Sequence, residues 1–190
     1  MKEIRFHGRG GQGTATAAEI LAAAFVRDGS FAAAFPMFGF ERRGAPVAAF
    51  LRFDAAPIRE RTQVYAPDGL ILLDPGLVRT GLIFDGFRPG GALVVNGAAL
   101  PAIPPGLAIG LAGVVRATAI ALEELGRPAA NTALLGAFAR ITRWVSREAL
   151  LDVLPEYFDG AGLAGNRRAV ERGYREARLV AVPEEAHAIP

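Results

Sequence analysis

The chain has 190 residues, 52% of them hydrophobic, enough for one folded domain with a sizeable core. Its formal net charge of +2 comes from scattered arginines with hardly any lysine, so its basic balance alone does not mark a nucleic-acid surface. The absence of cysteine excludes a disulfide framework, a thiol nucleophile and any iron–sulfur cluster held by this chain's own thiolates, and with only His7 and His187 a His-rich metal site is excluded as well.

The start, MKEIRFHG, lacks the apolar core of a signal peptide, and the uncharged run from Pro89 to Val115 is too broken by prolines and glycines for a membrane span. A cytoplasmic location is expected by default, with neither membrane nor nucleic acid as partner. Ile4 to His7 reads as the first strand. GRGGQG follows it, in which Gly8, Gly10 and Gly13 satisfy G-x-G-x-x-G ahead of an Ala-rich helix. Ala18, Leu21, Ala22 and Phe25 give that helix one apolar face, and Gly29 stops it. Glycines permit positive φ and a close backbone approach, while the helix turns free N–H groups toward the loop. The stretch is therefore either a tight turn or an anion-binding loop. A complete NAD site needs an acid roughly 20 residues further on, at the end of the second strand. The second strand, Phe31 to Phe35, ends instead in Pro36, Met37 and Phe38, and Asp28 precedes it as a solvated helix cap.

FPMFGFERRGAPVAAFLRF comes next, a Phe-rich loop leading into a strand over Val47 to Phe53. Adjacent arginines repel unless they meet anions or carboxylates, so Glu41, Arg42 and Arg43 are either a solvated turn or a site where a guanidinium fork takes a phosphate or a partner's acid. Leu70 to Leu73, ending in Asp74-Pro75-Gly76, and Ala92 to Val95, ending in Asn96-Gly97, are short apolar runs of the kind buried in parallel sheets. GLVRTGLIFDGF between them allows only a short helix or an irregular crossover. Beyond Pro105 helices are expected over Gly113 to Leu125, Thr132 to about Arg143, and Arg147 to Leu154, the last opened by Ser146 and stopped by Pro155. The tail VPEEAHAIP reads as a poorly ordered end or a partner-binding strap. The pattern is α/β: a Rossmann-like, mostly parallel sheet with flanking helices and a helical C-terminal part. The expectation is one domain over 1–190, sheet-rich to 105, helical over 106–178, with a tail from 179.

GRGGQG, FGFERRGAPV, LILLDPGLV, GALVVN, ATAIALEELGRPAANTALLGAFARIT and NRRAVERGYREA, in this order and spacing, resemble the gamma subunit of 2-oxoacid:acceptor oxidoreductases, the pyruvate:ferredoxin oxidoreductase family. The resemblance spans nearly the whole chain; indolepyruvate oxidoreductases carry a related domain, usually without the arginine in the first loop. Phe40 stands where the family loop commonly has proline, which leaves the substrate open between pyruvate and a branched or aromatic 2-oxoacid such as phenylglyoxylate.

The resemblance implies a cytoplasmic hetero-oligomer of anaerobic metabolism, with alpha, beta and delta-type partner subunits. Thiamine pyrophosphate sits between alpha and beta, and [4Fe-4S] clusters in beta and delta. Coenzyme A is the usual co-substrate, and the acceptor is ferredoxin, or NAD through a flavin subunit. This chain, with no cysteine and no G-D-G…N-N thiamine pattern, would hold none of these cofactors alone and no catalytic residue. Its place is structural, with Arg9, Gly10, Gly11, Gln12 and Gly13 offering a coenzyme A or phosphate pocket at a subunit boundary. Two other readings stay open: a free-standing NAD-dependent dehydrogenase, and a scaffold with no ligand.

Overall fold

The computed structural model describes residues 1–37, 44–80 and 82–182. Among these residues seven strands, β1 (Lys2–Arg9), β2 (Phe31–Pro36), β3 (Pro46–Asp54), β4 (Gly69–Leu72), β5 (Gly91–Asn96), β6 (Ile109–Val115) and β7 (Arg178–Leu179), form one sheet ordered β2-β3-β1-β4-β5-β6-β7. β1, β4, β5 and β6 pair in parallel, β3 runs antiparallel to both β1 and β2, and β7 runs antiparallel to β6. Only β3 and β7 thus oppose the common direction, and the sheet is mostly parallel as expected.

The five α-helices of the described residues, α1 (Thr14–Arg27), α2 (Ala117–Leu125), α3 (Asn131–Thr142), α4 (Arg147–Val153) and α5 (Gly160–Glu176), all send side chains into one core. That core meets a single sheet face, carried by Ile4, Phe6, Leu51, Ile71, Val94 and Val115. The opposite face over β4, β5 and β6 is covered by Leu77, Ile83, Phe84 and Phe87 from the crossover, which forms two short 3-10 turns, Pro75–Thr80 and Leu82–Phe84. The sequence reading of flanking helices is therefore met on one face, because GLVRTGLIFDGF is too short for an α-helical crossover.

The helical part opens at Ala117 and not at Gly113, since Ile109 to Val115 is strand β6. A short apolar run cannot be assigned to strand or helix by periodicity alone. Here Gly110 decides the matter through tertiary contact, because a Cβ at that position would overlap the carbonyl of Gly90.

Asp28, expected to be a solvated cap, accepts hydrogen bonds from the Ser146 backbone N–H at 2.6 Å and the Ser146 hydroxyl at 2.7 Å. Ser146 Oγ in turn accepts from Ala149 N at 3.0 Å and caps α4, so Asp28 fastens the end of α1 to the start of α4. α3 and α5 approach closely: a Cβ on Gly173 would overlap the Ala133 carbonyl, and one on Gly136 the Val170 carbonyl. The buried bond from Thr132 Oγ1 to Asn166 Oδ1, 2.8 Å, fixes their register. After α5, β7 joins the sheet edge and Val180 N–H donates to Ala112 O at 2.9 Å, so the tail's first residues are fastened; residues 183–190 lie outside the described residues.

Candidate functional site

The GRGGQG loop lies at the carboxyl end of β1 and runs straight into α1. Gly11 and Gly13 take φ of 94° and 76°, values open to glycine at low cost. Gly13 is also the N-cap of α1, with no side chain capping the helix, and a Cβ there would lie 2.5 Å from Asn131 Nδ2. The loop is closed from within. Gln12 Oε1 accepts from Arg9 N–H at 2.7 Å, and Gln12 N–H donates to Arg9 O at 3.0 Å. Arg9 Nε donates to Asp74 Oδ2 at 2.7 Å and its Nη1 to Gly44 O at 3.2 Å, while Asp74 Oδ1 accepts from Gly76 N–H at 2.8 Å.

The two stretches singled out in the sequence meet here. Gly10 N–H donates to Ala45 O at 2.9 Å and Gly44 N–H to Gly10 O at 3.1 Å, which carries the β1–β3 ladder one step past Arg9 and Pro46. Glu41, Arg42 and Arg43 immediately precede Gly44 and lie outside the described residues. The dinucleotide geometry is not formed. Such a fold sets a parallel second strand beside the first, with the ribose-binding acid at its end. The neighbour of β1 on that side is the antiparallel β3, and β2 lies one strand further out.

Beside the loop, a cleft of about 490 Å³ opens at the carboxyl ends of β4, β5 and β6, where open α/β sheets hold ligands. Gln12, Asp74, Asn96, Arg116 and Thr118 supply its polar wall, and Leu122 part of its apolar one. Asn96 organises it: Nδ2 donates to Leu73 O at 2.9 Å and to Thr118 Oγ1 at 2.7 Å, and Oδ1 accepts from Thr118 N–H at 3.1 Å. One free N–H of the first turn of α2 is thereby satisfied from β5. Arg116, at the N-cap of α2, is exposed and makes no ion pair among the described residues. It is the cation of the cleft, whereas Arg9 is turned to Asp74. Arg116, Asn96 and Asp74 are site-lining residues that the motif search passes over. The signal for them is positional, since each sits at or just beyond the end of a buried parallel strand.

His7 lies on the other sheet face, beside a second cavity of about 440 Å³. Its Nε2 accepts from Arg5 Nε at 3.0 Å. Burial, and then the Arg5 charge, push its pKa down to about 3, so it is neutral at physiological pH and no general acid. Among the described residues no group of three or more His, Cys, Asp or Glu side chains is placed to hold a metal ion. None of the described helices is long and apolar enough to cross a membrane.

The family model for pyruvate ferredoxin/flavodoxin oxidoreductase matches residues 3–176. The chain is 47% identical over 185 residues to the pyruvate synthase subunit PorC of Methanothermobacter thermautotrophicus, covering 96% of this chain and 99% of that one. It is 45% identical over 195 residues to the gamma subunit of the NADH-dependent phenylglyoxylate dehydrogenase of Aromatoleum evansii, covering 99% and 100%. A Thermococcus kodakarensis relative, the common gamma subunit of pyruvate and ketoisovalerate oxidoreductases, is 46% identical, with 93% and 97% covered. Among solved structures, the pyruvate oxidoreductase subunit PORC of Thermotoga maritima superposes with a TM-score of 0.80 at 34% identity, covering 95% of this chain and 98% of that one. The chain belongs to the pyruvate ferredoxin/flavodoxin oxidoreductase family, as a gamma-type subunit of a 2-oxoacid:acceptor oxidoreductase acting on an oxo group.

Proposed function

We propose that this chain is the gamma subunit of a cytoplasmic complex that oxidatively decarboxylates a 2-oxoacid, usually to an acyl-CoA. Alpha, beta and delta-type subunits carry thiamine pyrophosphate and [4Fe-4S] clusters, and ferredoxin, or NAD through a flavin subunit, takes the electrons. Neither resident cofactor fits this chain, which has no thiolate for a cluster and no thiamine-binding run. The names of the relatives support a division of labour between subunits. Gamma chains named for pyruvate, ketoisovalerate and phenylglyoxylate are almost equally similar to it, and one is common to two oxidoreductases. A gamma chain shared between substrates leaves the choice of 2-oxoacid to its partners.

What this chain contributes chemically is a place for coenzyme A, in the cleft between the GRGGQG loop and the start of α2. The observation that carries this is Arg116 standing, among the described residues, without an ion pair over the 490 Å³ cleft, which Gln12 also lines, just ahead of an α1 N-terminus that no side chain caps. Together they hold an anionic group by charge-assisted bonds and a helix dipole. Of Arg9, Gly10, Gly11, Gln12 and Gly13, Gln12 lines the cleft itself; Arg9 acts on it through Asp74, and the three glycines shape the loop that carries Gln12. Glu41, Arg42 and Arg43, next to Gly44, are assigned to the adjoining subunit contact or to a phosphate.

A scaffold role without ligand is favoured by one specific observation, that Arg9 and Gln12 spend their side chains on closing their own loop. Reconstitution tests the subunit assignment. The purified chain is expected to be colourless and inert toward 2-oxoacids with a viologen dye, and to restore turnover when added to the other subunits. Turnover by the chain alone, free of contaminating subunits, would overturn it.

A further inference from the structure

The sheet face opposite α1 carries an uncompensated buried cation. Arg5, 8% exposed, reaches the Val64, Ile83 and Asp85 carbonyls at 3.3, 2.8 and 2.8 Å, and donates to neutral His7, yet among the described residues no carboxylate lies within ion-pair distance of it. Asp85 acts on it only as a nearby charge, against the larger effect of burial, which lowers the Arg5 pKa. A buried charge without a counter-charge is costly unless an opposite charge arrives. The guanidinium lines the second cavity, about 440 Å³, whose other walls include Phe50, Val64 and Leu77. Around its mouth stand Tyr65, 72% exposed, Leu82, 68% exposed, and Met37, 45% exposed. Three large side chains of this kind around one cavity mark an interaction face more than a solvated surface.

We infer that this face docks another subunit of the complex, through a segment that seats a large apolar side chain in the cavity and sets a carboxylate over Arg5. Charge complementarity selects the occupant: an apolar segment alone leaves Arg5 unpaired, and an acidic segment alone leaves Tyr65, Leu82 and Met37 wet. The inference rests on the subunit reading above and is independent of the coenzyme A cleft, which lies at the ends of the strands.

The chain has no cysteine, so Leu82→Cys introduces its only thiol. In the isolated variant a maleimide should modify that thiol readily. In the purified complex, with labelling read from the intact mass of this chain, the rate should fall at least tenfold. Leu82→Glu should keep the melting temperature of the isolated chain while weakening its assembly with the partner subunits at least tenfold. Arg5→Gln should weaken assembly comparably, and Arg5→Lys, which restores the charge, should recover most of it. Equal labelling of Leu82→Cys in the free chain and in the complex, or wild-type assembly by Leu82→Glu, overturns the docking face. Wild-type assembly by a folded Arg5→Gln overturns the carboxylate. Should the wild-type chain itself fail to assemble with its partners, the subunit reading falls along with this one.

Discussion

Arg9 and Asp74 join the ends of two parallel strands: Arg9 Nε donates to Asp74 Oδ2 at 2.7 Å, and Asp74 Oδ1 takes the Gly76 N–H at 2.8 Å. The pair anchors the loop between β1 and α1 to the turn after β4. Both side chains keep some solvent contact, so the energy is modest. Arg9→Ala, Asp74→Ala and the double variant, compared by urea unfolding, should give a coupling of about 0.5–1 kcal/mol. Strictly additive losses would mean that the two residues act apart.

The contact between α3 and α5 makes a sharper prediction, because two glycines of one helix should respond differently to the same substitution. Gly→Ala ordinarily stabilises a helix interior by up to about 1 kcal/mol. At Gly162 a Cβ meets nothing within 4 Å, so Gly162→Ala should be neutral or stabilising. At Gly173 the Cβ would overlap the Ala133 backbone, which cannot move aside as a side chain tip can. Gly173→Ala should cost about 1–3 kcal/mol net and lower the melting temperature. Equal melting temperatures for the two variants would refute the close helix contact.

His7 makes the fold sensitive to acid. Its folded-state pKa of about 3 lies below the ordinary value of 6.5, so the unfolded chain takes up the proton first. The stability owed to neutral His7 is complete above about pH 6.5 and is lost as pH falls toward 3, by up to about 1.4 kcal/mol per pH unit. His7→Gln keeps a side-chain acceptor for Arg5 but does not titrate. Between pH 7.5 and 5 the wild-type chain should lose roughly 2 kcal/mol more unfolding free energy than His7→Gln. Parallel losses would show that His7 is protonated in the fold.

The apolar strands were readable because Ile4, Phe6, Leu70 to Leu73 and Ala92 to Val95 carry their burial in their own pattern. The loop glycines were readable as well, since the positive φ at Gly11 and Gly13 is a local demand. β6 was not, because Gly110 and Gly113 suit a strand only through distant neighbours: Gly90 lies beside the first and Ile141 over the second. The polar face of β1 is likewise not legible locally. Alternation suggests that Glu3 and Arg5 meet water, yet both are buried by segments dozens of residues away, through Arg52 for Glu3 and the Val64 and Ile83 carbonyls for Arg5. In the candidate site the motif showed the loop but not the cleft. Arg116 belongs to no motif and gains its place only when β4, β5 and β6 align their ends.

Whether this chain holds coenzyme A for chemistry done elsewhere is read most directly from coenzyme A dependence in the assembled complex carrying Arg116→Ala or Gln12→Ala. Losing a charge-assisted bond costs about 1.5–3 kcal/mol, so the apparent KM for coenzyme A should rise at least tenfold in Arg116→Ala, and less in Gln12→Ala. The half-reaction with the 2-oxoacid alone, followed before coenzyme A is added, should keep its wild-type rate in both. An unchanged coenzyme A dependence in both variants, with the complex intact, would contradict a coenzyme A site on this chain and leave the loop and cleft as architecture.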